Sequence, residues 1–184
     1  MKWVIASDIH GGAECCRKLL ERFEEEKADR LLLLGDLLYH GPRNELPSDY
    51  QTQAAYEQLN AYADRIVCVQ GNCDADVDQM VLAFPVMNPF QVIYESGLTI
   101  VATHGHHYNE HALPPVRNTD VILCGHTHVP ALQDFSNYVY MNPGSVTLPK
   151  GGSSRGYMTM ENGIFRWKTL EGETWRTFEM KPRH

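Results

Sequence analysis

The chain has 184 residues, 43% hydrophobic and 21% charged, with a net charge of −7. That length suits a single domain over residues 1–184 with a sizeable core. The acidic balance argues against long nucleic acid held by electrostatics, and no apolar run approaches the roughly 18 residues of a membrane span.

In chain order, WVIAS (3–7) reads as a short buried strand, followed at once by Asp8. ECCRKLLERFEEEKA (14–28) carries Cys16, Leu19, Leu20 and Phe23 at helical spacing. LLLLG (31–35) is a second strand, ending at Asp36. QTQAAYEQLNAYA (51–63) is a second helix with Ala55, Leu59 and Tyr62 on one side. IVCVQG (66–71), LTIVAT (98–103) and VILCG (121–125) are further strands, followed by Asn72, His104 and His126. Strands alternating with helices imply a largely parallel sheet, whose ligands gather at the strands' carboxyl ends. The last fifty residues read as antiparallel strands, YVYMN, GYMTME, GIFRWKTL and TWRTFEM, with turns at NPGS, KGGSS and ENG. They are expected to form a second sheet packed on the first.

The polar residues at these strand ends form a pattern. Asp8 and His10 make D-x-H, Asp36 and Asn72 each follow a glycine, His104 ends a strand, and His126 and His128 make G-H-x-H. Carboxylate, imidazole and amide oxygen suit borderline divalent ions such as Mn²⁺, Fe²⁺, Co²⁺ or Zn²⁺. Seven such donors exceed one tetrahedral site and suit two ions sharing a bridging carboxylate. Each residue alone has a plainer role: Asp8 as a helix cap, Asp36 as an Asx-turn residue, Asn72 as a turn, His10 as a loop histidine, and His104 as one of a surface cluster within THGHHYNEH. All of those roles together, at successive strand ends, make a poor coincidence, and two imidazoles at one strand exit make a poor core.

The order DIH, GD, GN, H, GHTH resembles the calcineurin-like metallophosphoesterase superfamily. GDLLYHGPRN, GNCDADVDQM, THGH, GHTHVP and NPGSVTLPKGG are similar to the small bacterial YfcE-type phosphodiesterases. The resemblance covers about Trp3 to Gly152. It implies a four-layer αββα sandwich, two mixed sheets flanked by helices, with the site where the sheets meet. It also implies that Asp8, His10 and His128 hold one metal, that Asn72, His104 and His126 hold the other, that Asp36 bridges them, and that Mn²⁺ supports activity. Two divalent ions outweigh two aspartates and one bridging hydroxide, so the cluster would attract a phosphodiester despite the acidic surface. The expected reaction is hydrolysis of small phosphodiesters by that hydroxide.

The residue after the metal-binding asparagine is usually histidine in the superfamily and is Cys73 here. A cysteine phosphatase needs C-x5-R, but Gln79 stands at that offset, and Asp74, Asp76 and Asp78 disfavour a thiolate. Cys73 is therefore read as a small residue beside the site, where a general acid would normally stand. His106 resembles a residue that approaches the substrate oxygens, and it is a candidate for part of the acid's task. His40 and Arg43 either order their loop or meet the phosphate; Asn142, Gly144 and Ser145 are expected to form a turn beneath the site. The five cysteines fit no zinc-knuckle spacing and are expected as free thiols in the cytoplasm, since MKWVIASDIH is too short an apolar stretch for a signal peptide. The partner expected is a small phosphodiester, with no membrane and no long nucleic acid, and homo-oligomerisation stays open. The rival readings are a phosphomonoesterase, or a non-catalytic metal-binding scaffold on the same fold, as in the retromer subunit of this superfamily. Such scaffolds usually lose ligands, and none of the seven is missing here.

Overall fold

A computed structural model describes residues 1–183. Strands β1 (Trp3–Ala6), β2 (Arg30–Leu33) and β3 (Ile66–Cys68) pair in parallel. Helices α1 (Ala13–Glu25) and α2 (Thr52–Asn60) lie in the crossovers between them. Side-chain alternation assigns each strand residue to a layer. Val4, Ala6, Leu31 and Leu33 pack with Leu19, Leu20 and Phe23 of α1 and Leu59 of α2. Trp3, Ile5 and Leu32 belong to a second cluster, between the sheets.

The other side of that cluster is a five-stranded sheet. It contains β4 (Phe90–Glu95), β5 (Leu98–Thr103), β6 (Val121–Leu123), β7 (Ala131–Asp134) and β8 (Val139–Asn142), in the order β4-β5-β6-β8-β7. Ile100, Ala102, Leu123 and Met141 supply its buried face. Ile122, Cys124 and Tyr140 pack instead against Leu113, Phe135 and Tyr138, so irregular chain covers that part of the sheet. Two mixed sheets, with helices outside the first, are the architecture that the family resemblance implied.

The strand partners differ from the sequence reading in two ways. The C-terminal strands β9 (Gly156–Glu161), β10 (Ile164–Thr169) and β11 (Thr174–Glu179) are antiparallel as expected, but they do not make a second sheet. They extend the first one, because β9 pairs with the open edge of β1, giving the order β11-β10-β9-β1-β2-β3. YVYMN leaves them to run parallel to β6 in the other sheet, which also takes LTIVAT and VILCG. The reason is continuity of the apolar layer: Met158, Met160, Phe165 and Trp167 share one buried cluster with Trp3 and Ile5. Alternation says which face a strand buries, and not which edge it joins.

The expected turn at 142–145 ties the sheets together beneath the site. Trp167 Nε1–H donates to Asn142 O at 2.8 Å, Asn142 Nδ2–H donates to Gly125 O at 2.7 Å, and Ser145 Oγ–H donates to Asp8 O at 2.7 Å. Asp8 does not cap α1. In the helix's first turn, Ala13 N–H donates to Asp49 O at 3.0 Å and Glu14 and Cys15 N–H to Asp49 Oδ2 at 3.1 and 3.0 Å, which leaves the Asp8 carboxylate for the site.

Candidate metal centre

The carboxyl ends of β1, β2, β3, β5 and β6 meet, and each delivers its polar residue to one place. The backbone is bent to do so. Asp8, His10, Asp36, His126 and His128 all sit at positive φ, between 49° and 67°, a region non-glycine residues rarely occupy. The β2 and β3 exits also press together: a Cβ at Gly71 would lie 2.1 Å from Asp36 Oδ1, so only glycine fits there.

The donor atoms converge. One atom each from Asp8, His10 and His128 lies within 4.8 Å of the others, as do single atoms from Asp8, Asp36 and His104. Asp36 Oδ1 accepts the Cys73 N–H at 2.8 Å, while its Oδ2 lies 3.6 Å from His10 Nε2 and 3.5 Å from His104 Nε2, between the two groups. His104 Nε2 is 3.1 Å from Asn72 Oδ1 and 3.2 Å from His126 Nδ1. Asn72 Nδ2–H donates to Cys73 Sγ at 3.2 Å, which leaves its Oδ1 for the cluster.

The imidazoles are held by the main chain. Carbonyl oxygens only accept, so His10, His104 and His128 donate Nδ1–H to Tyr39 O, Leu34 O and Leu148 O at 2.7, 2.6 and 2.6 Å. Each Nε2 then carries a lone pair into the site, as in metal-binding histidines. His10 Nε2 and His128 Nε2 face each other at 3.2 Å, and Asp8 Oδ1 is buried without a hydrogen-bond donor, 3.2 Å from His128 Nε2. Acceptors facing acceptors at these distances repel, unless protons or cations lie between them. The donor set thus fits divalent cations.

Electrostatics agree. Burial opposes the charged form of Asp8, yet the His10 and His128 imidazoles beside it hold the carboxyl well below the usual carboxylate range. Burial likewise opposes charge on Asp36, and His104 holds it below its ordinary value. Burial disfavours imidazolium at His104, but Asp36 and Asp8 push it up to about 9; Asp8 raises His10 against the same penalty. In the metal-free protein, protons thus supply the positive charge that a metal would bring. His126 is lowered by burial and by His104.

A cavity of about 560 Å³ opens over this cluster, with Asp36, Asn72, Cys73, His126 and His128 in its wall. Cys73 Sγ also comes within 4.8 Å of His10 and Asp36 donor atoms. Burial and the Asp36 carboxylate push its thiol up to about 12, so the thiolate of a nucleophilic cysteine does not form near neutrality. His106 sits beside His104, ring centroids 5.4 Å apart, outside the lining of this cavity. Burial, with His104 and His107, lowers its imidazole to about 4, so it is neutral at pH 7. His107 and His111 are exposed, and Cys68 and Cys124 are buried thiols in the core.

Sequence reasoning missed Asp74. Its carboxylate is buried and accepts the N–H groups of Asp36 and Gly71 on Oδ2 (2.8 and 2.7 Å) and of Leu37 on Oδ1 (2.8 Å), stapling the β2 exit to the β3 exit. The signal was present in GNCDAD: a carboxylate three residues after a strand-ending glycine, where exposed backbone donors need an acceptor.

The calcineurin-like phosphoesterase superfamily domain matches residues 1–163. The chain is 41% identical to the phosphodiesterase YfcE of Escherichia coli (strain K12) over 164 residues, 89% of each protein. It is 27% identical to the probable metallophosphoesterase YsnB of Bacillus subtilis (strain 168), across 88% of this chain and 86% of that one. Among solved structures, the E. coli YfcE phosphoesterase superposes with a TM-score of 0.94 at 37% identity, covering 98% of this chain and all (100%) of that one. Vps29 of Entamoeba histolytica complexed with Zn²⁺ has a TM-score of 0.63 at 19% identity, covering 97% and 98%, a likeness of fold alone. With the superfamily's domain spread over most of its length, the chain belongs to the calcineurin-like phosphoesterases.

Proposed function

We propose that this protein is a metal-dependent phosphodiesterase of small substrates, working with two divalent ions, Mn²⁺ foremost, in the cytoplasm. The observation that carries the reading is the crowding of metal-donor atoms against one another: His10 Nε2 lies 3.2 Å from His128 Nε2, and His104 Nε2 lies 3.1 Å from Asn72 Oδ1. Asp8, His10 and His128 would hold one ion, Asn72, His104 and His126 the other, with Asp36 shared. Bound there, the pair would acidify a water to a pKa of about 7 and neutralise charge on the phosphate. The likeness to a protein named phosphodiesterase, at 41% identity, supports the substrate class. Among the described residues no helix is long and apolar enough to cross a membrane.

The chain's own groups then have distinct tasks. Asn72 is a neutral donor and leaves the site's positive charge uncancelled. The carbonyls of Tyr39, Leu34 and Leu148 fix Nδ1–H of three imidazoles, so each Nε2 faces the site and gives up any proton it carries when a metal binds. Cys73 stands in the cavity wall as a neutral thiol, too weak an acid to protonate an alkoxide efficiently. His106, neutral at pH 7, orients or accepts rather than donates a full proton. With no strong acid in the cavity wall, substrates whose leaving group departs as a stable anion are favoured, which argues against monoesters of alkyl alcohols. The test is a panel of aryl and alkyl di- and monoesters, assayed on metal-stripped protein with each divalent ion restored in turn. Aryl diesters should turn over fastest with Mn²⁺. Faster turnover of alkyl monoesters would overturn the diester reading, and inactivity with every ion would favour a scaffold.

A further inference from the structure

We propose that Arg43, Lys150 and Arg155 form a subsite for a second phosphate group, so that the preferred substrate is a small diester that already carries another phosphate. This rests on the phosphodiesterase reading and names its substrate class.

Arg43, Asn44 and Lys150 line the cavity above the metal donors and also line a second cavity of about 420 Å³. The two spaces therefore share a wall and run from the cluster out between the 41–45 and 147–155 loops. Arg155 lines the outer space, held there by its Nε–H donating to Thr147 O at 3.0 Å. Glu45 is the one carboxylate in the lining of the outer cavity. Three cations against one carboxylate is a local excess on a chain whose net charge is −7.

The cations are also unspent. Of the chain's 16 Lys and Arg residues, Lys2, Arg17, Arg22, Arg65, Lys168 and Arg183 pair with a carboxylate; the unpaired ones are scattered except at this cavity, where three share one lining. Arg43, Lys150 and Arg155 make no ion pair among the described residues, and all three are exposed. Their loops have backbone reasons to stay put: Asn44 Nδ2–H donates to His40 O at 2.8 Å, and Lys150 N–H to His128 O at 3.1 Å. The second contact anchors Lys150 to a metal-donor residue, which sets the subsite at a fixed offset from the reacting phosphorus. Guanidinium and ammonium donors presented together are the usual recognition chemistry for phosphate oxygens. A neutral alcohol portion would leave these charges with nothing to meet.

The test compares two substrates with one reacting group: the 5′-(p-nitrophenyl phosphate) of thymidine, and the same compound bearing a 3′-phosphate. With Mn²⁺ at low salt, kcat/KM should favour the 3′-phosphorylated compound by about tenfold, the size two exposed charge pairs supply. The preference should shrink as salt shortens the Debye length to about 8 Å. In Arg43→Ala/Lys150→Ala the ratio should fall most of the way to one, Arg155 alone remaining, and Lys150→Arg should keep it. Both side chains are exposed, so folding is not at stake. In parallel, calorimetry on the metal-free protein should show thymidine 3′,5′-bisphosphate binding more tightly than the 5′-monophosphate, with most of the difference lost in the double variant. No preference in the wild-type protein, or one that the double substitution leaves unchanged, overturns the subsite while leaving the phosphodiesterase reading intact. Inactivity on both diesters overturns the reading beneath it.

Discussion

Asp74 offers a sharp test of how the site is held, because its substitution removes no candidate metal donor atom. The residue is 6% exposed, and its carboxylate accepts three backbone N–H groups, from Asp36, Gly71 and Leu37, at 2.7–2.8 Å. Asp74→Ala leaves all three donors buried. At about 1.5–3 kcal/mol for each bond to a charged acceptor, the gross loss is roughly 4.5–9 kcal/mol. Two effects offset it. Burial already pushes the Asp74 carboxyl above its ordinary value, with the Leu37 and Gly71 N–H groups pulling the other way, so deleting it recovers desolvation. Water can also fill the space. A net destabilisation of about 2–4 kcal/mol follows. Asp74→Asn keeps an oxygen for Asp36 and Gly71 but sets an amide N–H against Leu37 N–H, so it should cost about 1–2 kcal/mol. Because Asp36 rides on the stapled loop, Mn²⁺ affinity should fall about 10–100-fold in the alanine variant. Urea unfolding of the metal-free proteins and Mn²⁺ titration give both quantities. A destabilisation below about 1 kcal/mol with unchanged Mn²⁺ affinity would refute the staple.

Elemental analysis after reconstitution should approach two equivalents of Mn²⁺ per chain; activity intact at one equivalent or fewer would rule out a shared-metal site. Asp36→Asn, which weakens a carboxylate facing both donor groups, should lose more turnover than His10→Ala, and near-normal kcat at saturating metal would remove the bridging role from Asp36. Cys73→Ser should cost little with aryl diesters; a loss of about a thousandfold, roughly 4 kcal/mol of transition-state stabilisation, in a variant that still binds metal would make the thiol a direct participant. Metal-free protein should lose stability between about pH 6.5 and pH 9: His104 is held up to about 9 in the folded state against about 6.5 unfolded, so its contribution is full below about 6.5 and gone once pH passes about 9. The Mn²⁺-loaded protein, whose ligand histidines are neutral, should lack that loss, and a flat urea midpoint in the metal-free protein would contradict the assignment.

Five of the seven candidate donors stand out in the chain because each follows a short apolar run, and a buried strand releases a polar side chain at its end. Asp8, Asp36, Asn72, His104 and His126 all obey this rule, and the structure brings them to one place. The α1 stripe of Cys16, Leu19, Leu20 and Phe23 was legible for a similar reason: its period is a property of one helix. What failed was pairing. GYMTME and GIFRWKTL announce strands, but nothing local says that β9 will take the edge of β1, since that choice is made by which apolar surfaces meet across the chain.

The amino acids determined the chemistry available: two carboxylates, one amide oxygen and four imidazoles at strand exits, with a thiol where an acid would stand. Tertiary structure alone decided their geometry. His10 and His128, 118 residues apart, meet at 3.2 Å because β1 and β6 end side by side across two packed sheets. Their ring orientations come from carbonyls of Tyr39 and Leu148, groups every residue carries and no sequence pattern marks. The same holds for Asp74, whose three partners are backbone N–H groups, and for Arg43, Lys150 and Arg155, which become one surface only when two distant loops face each other. Side-chain identity is written residue by residue, whereas backbone partners and loop proximity exist only once the chain has folded.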